Sequence, residues 1–359
     1  MVKVILISQF PLPFSQIGSW TTMYRNYFQT KHQIDFIICE APEVRFENIS
    51  YQIVKATALS NWLSKLSQSP KKAYLDALKR VLDSGDQFII QIVDNSGIVS
   101  EIHKLLLSIN RRQKCYIQYF YHGFAPIEKK NFYNVIDEVV LLTHDSYHYH
   151  VAQRNDFSCR TSILYNGIDT TRFKVPTAET KSRLKSKFNC HDKKVFLWCA
   201  QDRPKKGLDL ILDVWKRIYK KHDNLFLMVI GADRKQDVAG VHFLGKIANE
   251  QLHEYYQAAD CYLFPTLCQE GFGMSLIEAL NCGCHCIASD RGGVSEVLQY
   301  GEFGTLVENP NFISAWVTAI SDYLYGTTLP IIIGQPIYSQ LEWNAGMDSI
   351  ISEAKINLE

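Results

Sequence analysis

The chain alternates between two kinds of segment, and this alternation restricts its fold more than any other feature. β-Branched and aliphatic runs at 2–7 (VKVILI), 34–39, 87–93, 115–121 and 138–142 are separated by stretches with helical patterning, the first at 20–29. Strands spaced by helices predict a parallel sheet covered by helices. The alternation restarts with a strand at 194–200, a helix through Tyr219 and strands at 225–230 and 241–244. A helix at 250–259, strands at 261–264 and 284–288 and a helix at 312–325 follow. A chain of 359 residues, 47% of them hydrophobic, can fill two cores. An α/β architecture of two Rossmann-like domains facing across a cleft is therefore expected.

Tyr165-Asn166-Gly167-Ile168-Asp169 has turn chemistry and opens a stretch rich in Lys, Thr and Ser that runs to Asn189. It predicts a boundary between residues 1–168 and 169–342, with a helical tail at 343–359. Lys and Arg total 38 against 37 Asp and Glu, so no basic field points to nucleic acid. The apolar start, MVKVILISQFPLPF, is too short to span a bilayer and lacks a small-residue cleavage site, so a cytoplasmic protein is expected. Ten scattered cysteines suit a reducing compartment.

The stretch 266–296, TLCQEGFGMSLIEALNCGCHCIASDRGGVSE, concentrates the chemistry. The turn Glu270-Gly271-Phe272-Gly273 leads directly into a short helix starting at Met274 and carrying Glu278. A glycine-preceded helix start presents backbone N–H groups and a positive dipole end to a phosphate. Two glutamates cannot neutralise a diphosphate, but they can accept hydrogen bonds from sugar hydroxyls beside it. A phosphorylated sugar is the ligand these groups suit. In the first turn after the strand at 194–200, Arg203, Lys205 and Lys206 surround Pro204 and precede Gly207. Cations at a strand's carboxyl end can stabilise the charge on a departing diphosphate.

With Phe264-Pro265-Thr266 before it and Gly292-Gly293 and Glu296 after it, the stretch resembles the donor-site signature of retaining GT-B glycosyltransferases, family 4. The resemblance implies a GT-B fold whose second domain binds a nucleoside-diphosphate sugar, with UDP favoured over GDP. It further implies that Glu278 accepts from the ribose hydroxyls, that Glu270 contacts the transferred sugar and that Lys206 meets the leaving phosphate. Arg203, Gly271, Phe272, Gly273 and Met274 complete the expected donor site. Relatives commonly carry Arg five positions before the Lys-Gly pair, where this chain has Gln201. Gly18, in the loop 9–19, resembles the family's first glycine-bearing loop. His122, ahead of Gly123 at a strand's end, corresponds to a first-domain histidine near the sugar or acceptor. Tyr165–Asp169 resembles the family's interdomain junction, and the tail helix is expected to cross back to the first domain. Retention by front-face attack follows from the same resemblance, as does a glycan or lipid-linked acceptor in bacterial surface polysaccharide or lipopolysaccharide assembly.

The chain contains no Asp-x-Asp, so no metal is expected, and its first strand does not lead into Gly-x-Gly-x-x-Gly, which speaks against a nicotinamide enzyme. Segment 61–82, with Trp62, Lys65, Lys71, Lys72, Lys79 and Arg80 interrupted by Pro70, reads either as a solvated helix face or as a peripheral contact of the first domain with the inner face of a membrane. Two other readings stay open. His144 and His148, four apart on a helix, could serve a metal-dependent hydrolase, although Thr143 and Asp145 resemble capping residues. A GT-B-shaped binding protein without turnover is the other. Cys282, Cys284 and Cys286 are expected as core residues, since alternate positions on an extended strand lie too far apart for one zinc.

Overall fold

The computed structural model describes residues 2–14, 20–54, 69–83, 86–327 and 334–358. The chain folds as two compact units, Met1–Gly167 with Gln340–Glu359, and Ile168–Ser339. The first unit contains β1 (Val2–Ser8), α1 (Trp20–Phe28), β2 (Phe36–Cys39), β3 (Ser50–Ile53), α2 (Ser69–Leu82), β4 (Gln87–Val93) and α3 (Ser96–Ser108). It continues with β5 (Cys115–Phe120), β6 (Glu138–Leu141), α4 (His144–Gln153) and β7 (Arg160–Ile163). The strands form one parallel sheet in the order β3-β2-β1-β4-β5-β6-β7. The winding direction reverses between β1 and β4. In sheets of this kind the carboxyl ends of the strands at the reversal form the ligand crevice.

The second unit contains α5 (Ala178–Lys187), β8 (Lys194–Cys199), α6 (Leu208–Tyr219), β9 (Leu225–Ile230), β10 (Val241–Gly245) and α7 (Leu252–Ala258). It continues with β11 (Cys261–Phe264), α8 (Met274–Asn281), β12 (His285–Ser289), α9 (Val294–Val297), β13 (Thr305–Val307) and α10 (Ile313–Leu324), after which the chain closes with α11 (Gln340–Ile356). Its parallel sheet, β10-β9-β8-β11-β12-β13, repeats the arrangement and reverses between β8 and β11. Helix α6 buries Leu208, Ile211, Leu212, Val214, Trp215 and Ile218 against this sheet. Their spacing is one helical face.

Helix α11 belongs to the first unit from its first residue. Gln340 Nε2 donates to the Met23 carbonyl of α1 at 3.2 Å, and Trp343 meets Tyr24 and Tyr27 edge-on. The units therefore divide three residues before the expected 342/343 and one before 168/169. On the sheet face beneath α11, Gln91 donates to Gln118 and Gln118 to Glu138, at 3.0 and 2.8 Å. These buried polar side chains bond one another across three central strands, leaving Gln91 Oε1 without a partner among the described residues, while Phe88, Ile90 and Ile92 of β4 enter the core on the other face.

Three strands were not expected from the sequence: β3, β7 and β13. They lie at or next to the sheet edges, and β3 and β7 are largely half-buried, so their sequences lack the apolar runs of the central strands. Helix α2 starts at Ser69, so Pro70 falls in its first turn and does not interrupt it. Its Tyr74, Ala77, Leu78, Val81 and Leu82 pack into the core, while Lys71, Lys72, Lys79 and Arg80 are exposed. Trp62 and Lys65, and the loop glycine Gly18, lie outside the described residues. Among the described residues no helix is long and apolar enough to cross a membrane. Cys282 caps the end of α8, and only Cys286 of the cysteine trio lies on a strand, so the expected extended run is broken by a turn. All three are buried.

Candidate active site

The second unit's reversal point collects the residues of the 266–296 stretch. After β8 the chain makes a 3₁₀ turn at Pro204–Lys206, and after β11 it runs through Pro265 to Glu270. Gly207, at φ +71°, joins that turn to α6, and a Cβ there would sit 2.0 Å from the Pro265 carbonyl oxygen. Only glycine permits both the left-handed backbone and this approach. The two loops are also joined by a bond from Leu267 N to Lys205 O at 2.8 Å. As a result Lys206 Nζ lies 2.6 Å from Glu270 Oε2, with both side chains about one-fifth exposed. Gly292, at φ +68°, holds Glu270 from the other side: a Cβ would meet the Glu270 carbonyl oxygen at 2.3 Å, and Gly293 N donates to that oxygen at 2.9 Å.

Helix α8 opens at Gly273 with no side chain capping it. What the turn offers is backbone: the Phe272 side chain is 2% exposed and packs edge-on against Tyr338, so its ring supports the turn and does not face a ligand. Met274 is half-buried at the helix start. Glu278, one turn further on, is half-buried and desolvation pushes its carboxyl up to about 7, an effect that the Tyr256 hydroxyl and the Arg172 guanidinium partly oppose. Arg203 stands exposed on the Lys206 loop, its backbone N bonded to Gln201 O at 2.8 Å. The cation that braces this loop is Arg234. Its guanidinium grips Asp202 through Nε at 2.7 Å and Nη2 at 2.5 Å, and also pairs with Asp209. Sequence reading missed Arg234 because nothing in its own segment, Gly-Ala-Asp-Arg-Lys, marks a partner thirty residues away.

In the first unit His122 follows β5, and its backbone N and Nδ1 both bond the Asp94 carboxylate at 2.9 Å. Asp94 follows β4 with φ +48°, and the paired histidine holds its carboxyl below the usual range against desolvation. The imidazole also stacks on Trp20, with centroids 5.2 Å apart and planes 14° apart. Asp94 was legible only as an acidic residue at a strand's end, next to Asn95. His144 and His148 lie on α4 as expected, with the Thr143 side chain accepting from Ser146 N as its cap. Among the described residues, no group of three His, Cys, Asp or Glu side chains is placed to hold a metal.

Two parallel doubly wound units completed by a returning terminal helix define the GT-B fold. Residues 180–330, which contain Lys206, Glu270 and Glu278, match the family model described as glycosyl transferases group 1. The chain is 26% identical over 175 residues to a GDP-mannose-dependent alpha-(1-6)-phosphatidylinositol monomannoside mannosyltransferase of Mycolicibacterium smegmatis, a match covering 44% of this chain and 45% of that one. It thus spans less than half the length of this curated relative. Sucrose-phosphate synthase from Thermosynechococcus elongatus superposes with a TM-score of 0.75 over 99% of this chain and all of that one, at 16% identity. Anabaena HepE in complex with UDP-glucose gives 0.72 over 98% and 99%, at 15% identity. These structural likenesses concern the fold.

Proposed function

We propose that the protein is a glycosyltransferase that moves a hexosyl group from a nucleoside-diphosphate sugar to a glycan or lipid-linked acceptor, with retention. The observation that carries this reading is the Lys206–Glu270 pair at the β8/β11 reversal, beside the uncapped start of α8 and inside the matched residues. In the proposed complex the diphosphate lies against the backbone N–H groups at Gly273 and Met274 and draws Lys206 to itself. Glu270 is then left to accept from the transferred sugar, and Glu278 from the ribose hydroxyls. The bond from the anomeric carbon to the phosphate oxygen breaks, and the acceptor oxygen bonds that carbon on the same face. The acceptor's proton passes to the leaving phosphate. Lys206 stabilises the charge that develops there, an effect worth roughly 3–4 kcal/mol for one well-placed donor.

Within the first unit, His122 oriented by Asp94 is the group assigned to the acceptor side of the reaction. No metal takes part in this scheme. UDP is the favoured donor nucleotide, as in the complex of the structural neighbour, although the curated relative is named for GDP-mannose. The phosphatidylinositol monomannoside in that relative's name supports a lipid-linked acceptor. A role in bacterial surface polysaccharide or lipopolysaccharide assembly, with the enzyme cytoplasmic or peripheral at the inner membrane face, fits such an acceptor. The test is calorimetric titration with UDP, GDP and ADP in EDTA, using wild type and Glu278→Ala. One nucleotide binding at micromolar affinity, weakened at least tenfold by the substitution, is the expected result. Binding that is unchanged by the substitution would remove Glu278 from the site.

A further inference from the structure

A small cavity in the first unit lies beyond the carboxyl ends of β5 and β6, walled by Phe120, Val140, Leu142, Leu164 and Trp343, and His122 shares its lining. Tyr24, Tyr121 and Asn166 complete the lining, and Tyr24 Oη and Asn166 Oδ1 have no hydrogen-bond partner among the described residues. Their residues are 0% and 4% exposed. The space open to the centre of a water molecule measures about 10 Å³. That is room for one water and too little for a sugar.

We infer that this cavity is a binding site for a single ordered water that bridges Tyr24 Oη and Asn166 Oδ1. The donors and acceptors balance. Asn166 Oδ1 only accepts, so the water donates one proton to it. Burial, with the charge on Asp94 adding to it, keeps the Tyr24 phenol protonated, so its O–H donates to the water oxygen. An apolar cavity of this size stays dry, but one carrying two unpaired polar atoms does not, because each atom lost a water partner on folding. The site also has a structural consequence. Asn166 is the penultimate residue before the chain leaves the first unit, and Gly167 N contacts Met23 Sδ of α1 at 3.1 Å. The water adds a second tie between α1 and this exit, next to the Trp20–His122 stack.

The test is a crystal structure of the full chain at a resolution that shows ordered internal water, together with thermal unfolding of Tyr24→Phe, Asn166→Ala and the double variant. Water density within hydrogen-bond distance of both atoms is expected. Tyr24→Phe should lower the first unit's midpoint by about 2–4 °C, and the double variant should lose less than the two single losses added. An empty cavity in density that resolves neighbouring waters would overturn the inference. So would a Tyr24→Phe midpoint above wild type, since removing an unpaired buried hydroxyl from a dry site stabilises. The wild-type density decides the matter by itself if a variant fails to fold.

Discussion

Lys206 Nζ and Glu270 Oε2 lie 2.6 Å apart although 64 positions separate them, because Gly207 lets the Lys206 turn close on the Pro265 backbone while Gly292, in the loop after β12, closes on Glu270 from the other side. The pair sits at the reversal of the second sheet, where a ligand's charge can exchange for the carboxylate. Lys206→Ala should lower kcat by about 10²–10³-fold. It should weaken nucleotide binding far less, because the charge it answers grows in the transition state. The Lys206→Ala/Glu270→Gln double variant should fall short of the product of the two single effects, since the side chains share one interaction. Steady-state kinetics of the four proteins checks both statements.

Glu278 couples the site to pH. Its folded carboxyl titrates at about 7, above the ordinary value of 4.5, so the folded state binds this proton more tightly than the unfolded chain. Its contribution to stability is therefore full below about pH 4.5 and is lost as pH rises toward and through 7. Between pH 5 and 8 wild type should lose stability relative to Glu278→Gln. Nucleotide binding should run the other way: in the proposed complex an ionised carboxylate accepts the ribose hydroxyls, so affinity should fall below pH 7. At pH 6.5 the binding enthalpy should vary with the buffer's ionisation enthalpy in wild type and not in the Gln variant.

Asp94 should act by positioning His122. If its carboxylate accepts from Nδ1–H, the neutral imidazole carries its lone pair on Nε2. Asn tolerates the φ of +48° that residue 94 adopts, so Asp94→Asn keeps the backbone while removing the charge. The variant should unfold within a few degrees of wild type, lose at least tenfold in turnover and bind nucleotide normally. Nitrogen chemical shifts of the His122 ring should report a mixture of tautomers in the variant and a single one in wild type.

Gly207→Ala and Gly245→Ala separate two costs. Both glycines have positive φ, but a Cβ at 207 would strike the Pro265 carbonyl at 2.0 Å, while nothing lies within 4 Å of one at 245. Gly245→Ala should cost about 1 kcal/mol from the left-handed backbone alone. Gly207→Ala should cost at least twice that and also reduce activity, because the loop that carries Lys206 must move. Chemical denaturation of each variant gives the comparison.

The sequence by itself determined the two-unit α/β architecture and most central strands, because strands buried on both faces are predominantly apolar, with Gln91, Gln118 and Glu138 the bonded exceptions. It also marked Lys206, Glu270, Gly273 and Glu278 as candidates for the site, since glycine turns and charged residues at strand and helix ends are read locally. The edge strands β3 and β7 carried no such signal, because half-solvated strands need no apolar run. Only the tertiary structure decided that Lys206 and Glu270 pair, that Asp94 grips His122, that Arg234 braces the 201–206 loop and that the Phe272 ring turns inward. Those relationships join residues tens of positions apart, and they depend on which strand ends the sheet order brings side by side. The partial burial of Glu278 and the unpaired atoms of Tyr24 and Asn166 are likewise decided by packing. A residue's own identity sets what it can bond, and the fold sets what is left for it to bond with.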